Sequence, residues 1–161
     1  MRTIFTFIIL IFWFNTYGQP AAIYDAKADV SATISQGIKH AQEANKQIFL
    51  QIGGNWCPWC VKFHKLWNED PEIKAAMDKN YITILVNYSK ENHNLEAMKK
   101  LEYPQRFGFP VFVILDTNGK RLHTQNSAYL EEGDGYSKKK VLDFLNQWSS
   151  VALNPTRYRE K

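Results

Sequence analysis

Cys57 and Cys60 are the only cysteines in the chain, set as Cys57-Pro58-Trp59-Cys60. Two intervening residues place two side chains one helical turn apart, close enough for their sulfurs to join in a small disulfide ring. If a helix begins at the pair, the first sulfur sits where unsatisfied backbone N–H groups and the helix dipole favour a thiolate over a thiol. Cys57 then reads as the nucleophile that attacks a partner disulfide, and Cys60, one turn deeper, as the thiol that resolves the mixed disulfide. Other uses of the pair fit less well. A zinc site needs about four ligands, and His64 would have to be joined by His40, His93 or His123. Covalent haem attachment needs a histidine directly after the second cysteine, where Val61 stands. A purely structural bridge closing so short a loop constrains the unfolded chain little. No metal or other cofactor is therefore expected.

The surrounding sequence supplies elements to hold the pair. Residues 47–52, almost wholly apolar, form a strand candidate that runs into Gly53-Gly54, a breaker just ahead of the motif. A helix is expected over 58–68, and another after it with Asp70 as cap and Pro71 in the first helical position. Upstream, residues 20–30 read as an extended lead-in. Ser31 is the expected cap of a helix to about residue 45, with Ile34, Ile38 and Ala41 inward. Downstream come a strand at 81–87, a polar loop at 89–93, a short helix at 94–101, breaks at Pro104 and Gly108, and a strand at 111–115. Asn118-Gly119 suits a hairpin turn returning through 120–125. Gly133 and Gly135 read as a flexible loop. Ser137 is the expected cap of a last amphipathic helix with Val141, Leu142, Leu145 and Trp148 on one face, before a frayed basic tail from Pro155. This alternation predicts an α/β fold, a three-layer α/β/α sandwich whose mixed central sheet has parallel strands joined by helices and closed by a hairpin.

Length and composition agree with a single domain. The chain has 161 residues, 45% of them apolar and 22% charged, enough to bury a core without disulfide staples. The formal charge of +4 is spread out apart from Lys138-Lys139-Lys140, so the concentrated basic face that nucleic-acid binding needs is missing. At the N-terminus, Arg2, the apolar residues 4–14 and Thr16-Tyr17-Gly18 have the pattern of a cleavable secretory signal, with an uncleaved anchor as the alternative. The expected organisation is a signal peptide at 1–18 and one domain at 19–161, with its core at about 31–148. The mature protein would work outside the cytoplasm, where disulfides form and exchange.

Taken with its flanks, Trp56-Cys57-Pro58-Trp59-Cys60 resembles the Trp-Cys-x-x-Cys active site of the thioredoxin superfamily. Phe109-Pro110-Val111-Phe112 resembles that family's cis-proline segment, in the family's order. The resemblance implies a thioredoxin fold, dithiol–disulfide exchange with exported proteins and with a redox partner protein, and a periplasmic address. It also implies a cis bond before Pro110, although X-Pro bonds in folded proteins are mostly trans. The candidate substrate contacts are Trp56, Pro58, Trp59, Phe109 and Pro110. Phe109 would pair its backbone with an extended partner, and the aromatic residues would either form an apolar rim or pack on the core. Two departures stand out. Family members more often have a smaller residue where Phe109 stands. At the position of the buried proton-relay aspartate of thioredoxins, this chain has Gln51, an amide that takes up no proton at neutral pH. Cys60 would then be deprotonated by water or by a group such as Glu43 or His64. Trp59 offers no charge to the Cys57 thiolate, which leans the pair toward reduction of partners. The competing function is a binding module of the same fold whose disulfide stays closed.

Overall fold

A computed structural model describes residues 22–159; the expected signal segment lies outside them. The first helix, α1 (Val30–Ala44), is capped by Asp29 and not by Ser31: the Asp29 carboxylate accepts from Ala32 N at 2.9 Å. An acid is as good a cap as a serine, and the one nearer the turn at residues 25–28 takes the place. Asn45, in the left-handed region at φ 51°, ends the helix and turns the chain into β1 (Gln47–Gly53). Then follow α2 (Pro58–Glu69), α3 (Pro71–Asn80), β2 (Tyr81–Asn87), α4 (Leu95–Lys100), β3 (Val111–Leu115) and β4 (Arg121–Asn126). Asp70 caps α3 through Glu72 N and Ile73 N, with Pro71 at the first position, as the sequence predicts.

The sheet has the order β2-β1-β3-β4. β1 runs parallel to β2 and antiparallel to β3, so Gln51 lies between Leu85 and Phe112. All seven residues of β1 are buried. Ile48, Leu50 and Ile52 face one core with Val30, Ala41 and Met98 from α1 and α4. The alternate residue Phe49 faces a second core with Phe63, Ile73, Val141 and Phe144. This is the three-layer thioredoxin arrangement with a mixed sheet.

The second core aims the cysteine-bearing helix. Phe63, fully buried, lies with its ring centroid 4.3 Å from that of Phe112 and 6.0 Å from that of Phe49. Cys60 is three residues earlier and shares the inner face of α2. Burial of one phenylalanine, about 1.5–3 kcal/mol, therefore sets the rotation of the helix that turns Cys60 inward.

Elsewhere the structure corrects the sequence. The glycine loop is a small hairpin, β5 (Glu131–Glu132) and β6 (Gly135–Tyr136), with Gly133 at φ 58° in its turn. The last helix, α5 (Lys138–Gln147), has Ser137 at its cap position without a side-chain hydrogen bond. Its buried face is Val141, Phe144 and Leu145, while Leu142 is only half-buried and Trp148 stands past its end. The tail from Pro155 forms a 3-10 turn, Pro155–Tyr158, whose Tyr158 hydroxyl donates to Ala152 O. The core also begins earlier than residue 31: Tyr24, in the lead-in, is 3% exposed.

Candidate active site

Cys57 and Cys60 are joined in a disulfide at the N-terminus of α2, with Cα atoms 5.2 Å apart. Cys57 is the cap residue, and its sulfur accepts from Cys60 N at 3.1 Å. The Cys60 N–H, which also donates to Cys57 O at 3.1 Å, thus already points at the sulfur that would carry negative charge after reduction. Cys60 is fully buried. Cys57 is more covered than its place at a helix end suggests, at 3% exposure. The reason is tertiary: Tyr24, Ile23, Trp59, Leu85 and Phe109 all pack on the pair. The exposed edge of the pair is correspondingly narrow.

That edge carries an aromatic flank. The Phe109–Pro110 bond is cis, and Pro110 is buried while Phe109 is half-buried. Trp56, 55% exposed, meets Phe109 edge-on at 5.3 Å, and Phe109 lies 4.9 Å from Tyr88. The Trp56 indole N–H donates to Tyr88 O at 2.8 Å, which holds the ring down on the loop after β2. Beside it opens a groove of about 610 Å³ with Trp56, Tyr88 and His93 among its walls. Trp59 is not part of this flank. Its ring packs edge-on against Tyr136 at 5.5 Å with the Lys62 ammonium 4.6 Å over its face, and its carbonyl accepts from the Tyr136 hydroxyl. The three aromatics named from the sequence therefore divide between two sides of the disulfide. Pro58, at the first position of α2, is exposed.

Behind the disulfide the surroundings are polar but uncharged. Gln51 is fully buried; its amide donates to the Tyr24 hydroxyl at 2.7 Å and to Cys60 O at 3.0 Å, and its own oxygen has no partner. Among the described residues no Asp, Glu, Lys, Arg or His is buried. Glu43 is exposed on α1. His64 packs edge-on against Trp67, and partial burial holds its imidazole below the usual histidine range. Neither is positioned as a base for Cys60. His93 and His123 lie against Tyr88 and Trp148, and no group of three or more His, Cys, Asp or Glu among the described residues is placed to hold a metal ion.

Sequence reasoning missed four contributors. Tyr24 and Asn55 carry no motif; Asn55 accepts from Ile23 N and Tyr24 N and donates to Tyr24 O, tying the lead-in to the cysteine loop. Gly53 and Gly54 read only as a strand breaker. A Cβ on Gly53 would lie 2.3 Å from Cys60 Sγ, and one on Gly54 2.4 Å from Trp56 Nε1, so both glycines make room for site residues. The strict juxtaposition of two glycines before the motif was the one available signal.

Comparison with known proteins agrees with this geometry. The thioredoxin-like family matches residues 29–117. A curated relative, disulfide bond reductase DsbH of Chlamydia pneumoniae, is 27% identical over 95 residues, covering 55% of this chain and 57% of the relative's length. The chain thus spans little more than half of that protein. Among solved structures, the disulphide isomerase of Xylella fastidiosa superposes with a TM-score of 0.70 at 22% identity, over 80% of this chain and 97% of the other. The oxidised C-terminal domain of DsbD from Neisseria meningitidis gives 0.54 at 19%, over 75% and 97%. At these identities the two structures establish a shared fold.

Proposed function

Because this chain belongs to the thioredoxin-like family, we propose that it is a thiol–disulfide oxidoreductase acting on exported proteins through Cys57 and Cys60. The observation that carries the reading is the Cys57 sulfur at the N-terminus of α2, beside the cis Phe109–Pro110 bond, with Cys60 bonded to it from the buried side. In the reducing direction the Cys57 thiolate attacks one sulfur of a partner disulfide. A Cys57–partner bond forms, the partner bond breaks, and the released partner thiolate takes a proton. Cys60 then gives up its proton and attacks Cys57 Sγ, the internal disulfide closes, and the second partner thiolate leaves and is protonated. Two electrons have passed to the partner, and a dithiol-bearing redox partner must restore them.

The reducing direction is favoured by uncharged Trp59, which leaves the Cys57 thiolate without an added cation. Trp56, Phe109 and cis Pro110 are the proposed partner contacts, with Pro58 and Trp59 beside them. The N-terminal pattern supports export after cleavage ahead of Gln19 to the periplasm, and the domain would then be residues 19–161. A closed-disulfide binding module is the rival, supported by the cover over both sulfurs. Insulin reduction with a small dithiol as electron source separates them: turnover that disappears in Cys57→Ser supports the oxidoreductase, and none in the unaltered protein supports the rival. The reduction potential of the pair sets the direction, and N-terminal sequencing of protein from a periplasmic fraction tests the cleavage.

A further inference from the structure

Three regions outside the sulfur chemistry invite a role: the groove beside Trp56, the ion cluster joining α3 to α5, and the lead-in at Tyr24. The groove is contiguous with the aromatic flank already described. The ion cluster, in which Lys138 meets Asp70 at 3.0 Å and Glu72 at 2.7 Å, joins two helices and is accounted for by that structural role. Tyr24 is different, because nothing in a surface lead-in requires a tyrosine to be 3% exposed with its hydroxyl among buried groups.

We propose that Tyr24 is a positioning residue for Cys60: its hydroxyl, held by Gln51, donates a hydrogen bond to the Cys60 sulfur once the disulfide opens. Four observations converge. Tyr24 packs in one cluster with the two cysteines. The position of a Cβ on Gly53 would be 2.3 Å from Cys60 Sγ and 3.1 Å from Tyr24 Oη, so sulfur and hydroxyl border the same small gap, which a glycine leaves open. The hydroxyl accepts from Gln51 Nε2, and its own hydrogen is donated to no group among the described residues. Its backbone is clamped on both sides by Asn55, a residue of the cysteine loop itself.

A disulfide sulfur is a poor acceptor, whereas a thiolate is a strong one, so the spare hydrogen finds its acceptor only when Cys60 is released. Packed in one cluster with Cys60 are Tyr24 and Ile23 from the lead-in, Trp59, Leu85 from β2 and Phe109 ahead of β3, while Gln51 of β1 donates to the Cys60 carbonyl and Tyr136 of β6 to the adjacent Trp59 carbonyl. None bears a charge at neutral pH. Burial drives both tyrosine hydroxyls above their ordinary range, so Tyr24 keeps its proton throughout. The Cys60 proton leaves to water or to the departing partner thiolate, while Tyr24 stabilises the anion left behind. Tyr24 lies in the lead-in, ahead of the residues that match the family, 29–117.

The inference rests on Cys60 being the resolving thiol, and its test is independent of turnover. In a Cys57→Ala protein, Cys60 is titrated by its alkylation rate across pH, with Tyr24 intact and as Tyr24→Phe. Loss of a hydrogen bond to a charged sulfur should move the titration upward by about one pH unit or more, slowing alkylation at neutral pH about tenfold. Phenylalanine keeps the packing, and matched melting temperatures check it. Asn55→Ala, which releases the clamp from an exposed position, should move the titration the same way. If neither variant shifts Cys60, the proposal is overturned even where insulin reduction proceeds; if the titration shifts but the unaltered protein reduces no insulin, the hydrogen bond to Cys60 stands while the oxidoreductase reading, and with it any role of Tyr24 in resolution, fails.

Discussion

The two sulfurs of one disulfide sit in unlike surroundings. Around Cys57 the chain presents aromatic, partly exposed surface: Trp56 over Gly54, Phe109 at a right angle to it, Tyr88 and His93 beyond. Around Cys60 it presents a sealed pocket in which Gln51 and Tyr24 bond to one another and no charged side chain is buried. The outer side can change how tightly a partner is held, because apolar rings supply contact area at little entropic cost. The inner side can change only how readily the second thiol ionises, because Cys60 is fully buried and offers no surface for a partner to touch. If the chain acts as proposed, affinity and rate fall to opposite sides of a single bond and can be altered separately.

The harshest way to break the comparison is to remove the inner sulfur. Cys60→Ala should abolish steady-state turnover while leaving Cys57 able to attack, so covalent adducts with exported proteins accumulate on non-reducing gels. An absence of adducts in a periplasmic extract would count against separate roles for the two sulfurs. Gln51→Asp sharpens the inner side by placing a base there. Resolution should accelerate about tenfold to a hundredfold, the usual range for general-base assistance. A buried carboxylate has its pKa raised, so the native state holds a proton that the unfolded state has lost. The variant's stability should then fall as pH rises from about 4 toward the raised value. Equal rates and equal pH–stability curves would show that Gln51 has no bearing on Cys60.

Gly53→Ala tests the same pocket by volume. Its Cβ would overlap Cys60 Sγ, and overpacking of this kind costs about 1–3 kcal/mol. Chemical denaturation should show the loss more in the oxidised than in the reduced protein, whose Cys60 side chain is free to turn away. On the outer side, Trp56→Ala removes a ring and its hydrogen bond to Tyr88 O. The expected result is a rise of about fivefold to tenfold in KM for a protein disulfide, roughly 1–1.4 kcal/mol, with kcat nearly unchanged. A fall in kcat alone would mix the two sides. The smallest effect is expected far from both, at Asp70. Its backbone bonds to Ile73 and then its Lys138 contact hold the carboxyl below the ordinary range. The stability it adds is complete above that ordinary range and is lost as pH falls through the depressed value. Asp70→Asn should lower the melting temperature by about 2–4 °C at neutral pH, less in acid, and leave turnover unaltered.

Much of the molecule is legible along the chain because its determinants are local. Residues 81–87 are an apolar run and form β2 with the expected bounds; Asp70-Pro71 starts a helix wherever it occurs before a helical pattern. Two cysteines with two residues between them at a strand-to-helix junction already specify which sulfur lies at the helix end. Cooperative choices between equivalent signals are less legible. Asp29 and Ser31 are both good caps, and the turn before them decides for Asp29. The glycines at 133 and 135 read as slack until Tyr136 is seen packed edge-on against Phe63 and Trp59, which makes their loop a hairpin.

The sequence by itself determined the layer order and the spacing of the cysteines at a helix start, since each is a matter of residue type, spacing or alternation, while the proline beside them and the meaning of the amide at residue 51 came from the resemblance to thioredoxins. Only the tertiary structure decided that Trp56 and Trp59 part to opposite sides of the disulfide, that Cys57 is nearly covered, and that Tyr24 stands behind Cys60. Those facts depend on pairs of residues as far apart as 24 and 51, or 59 and 136, brought together by the burial of apolar side chains on two faces of one sheet. Burial is non-directional and carries no signature in local sequence, so a buried tyrosine in an extended lead-in looks like any other until the strand it meets is in place.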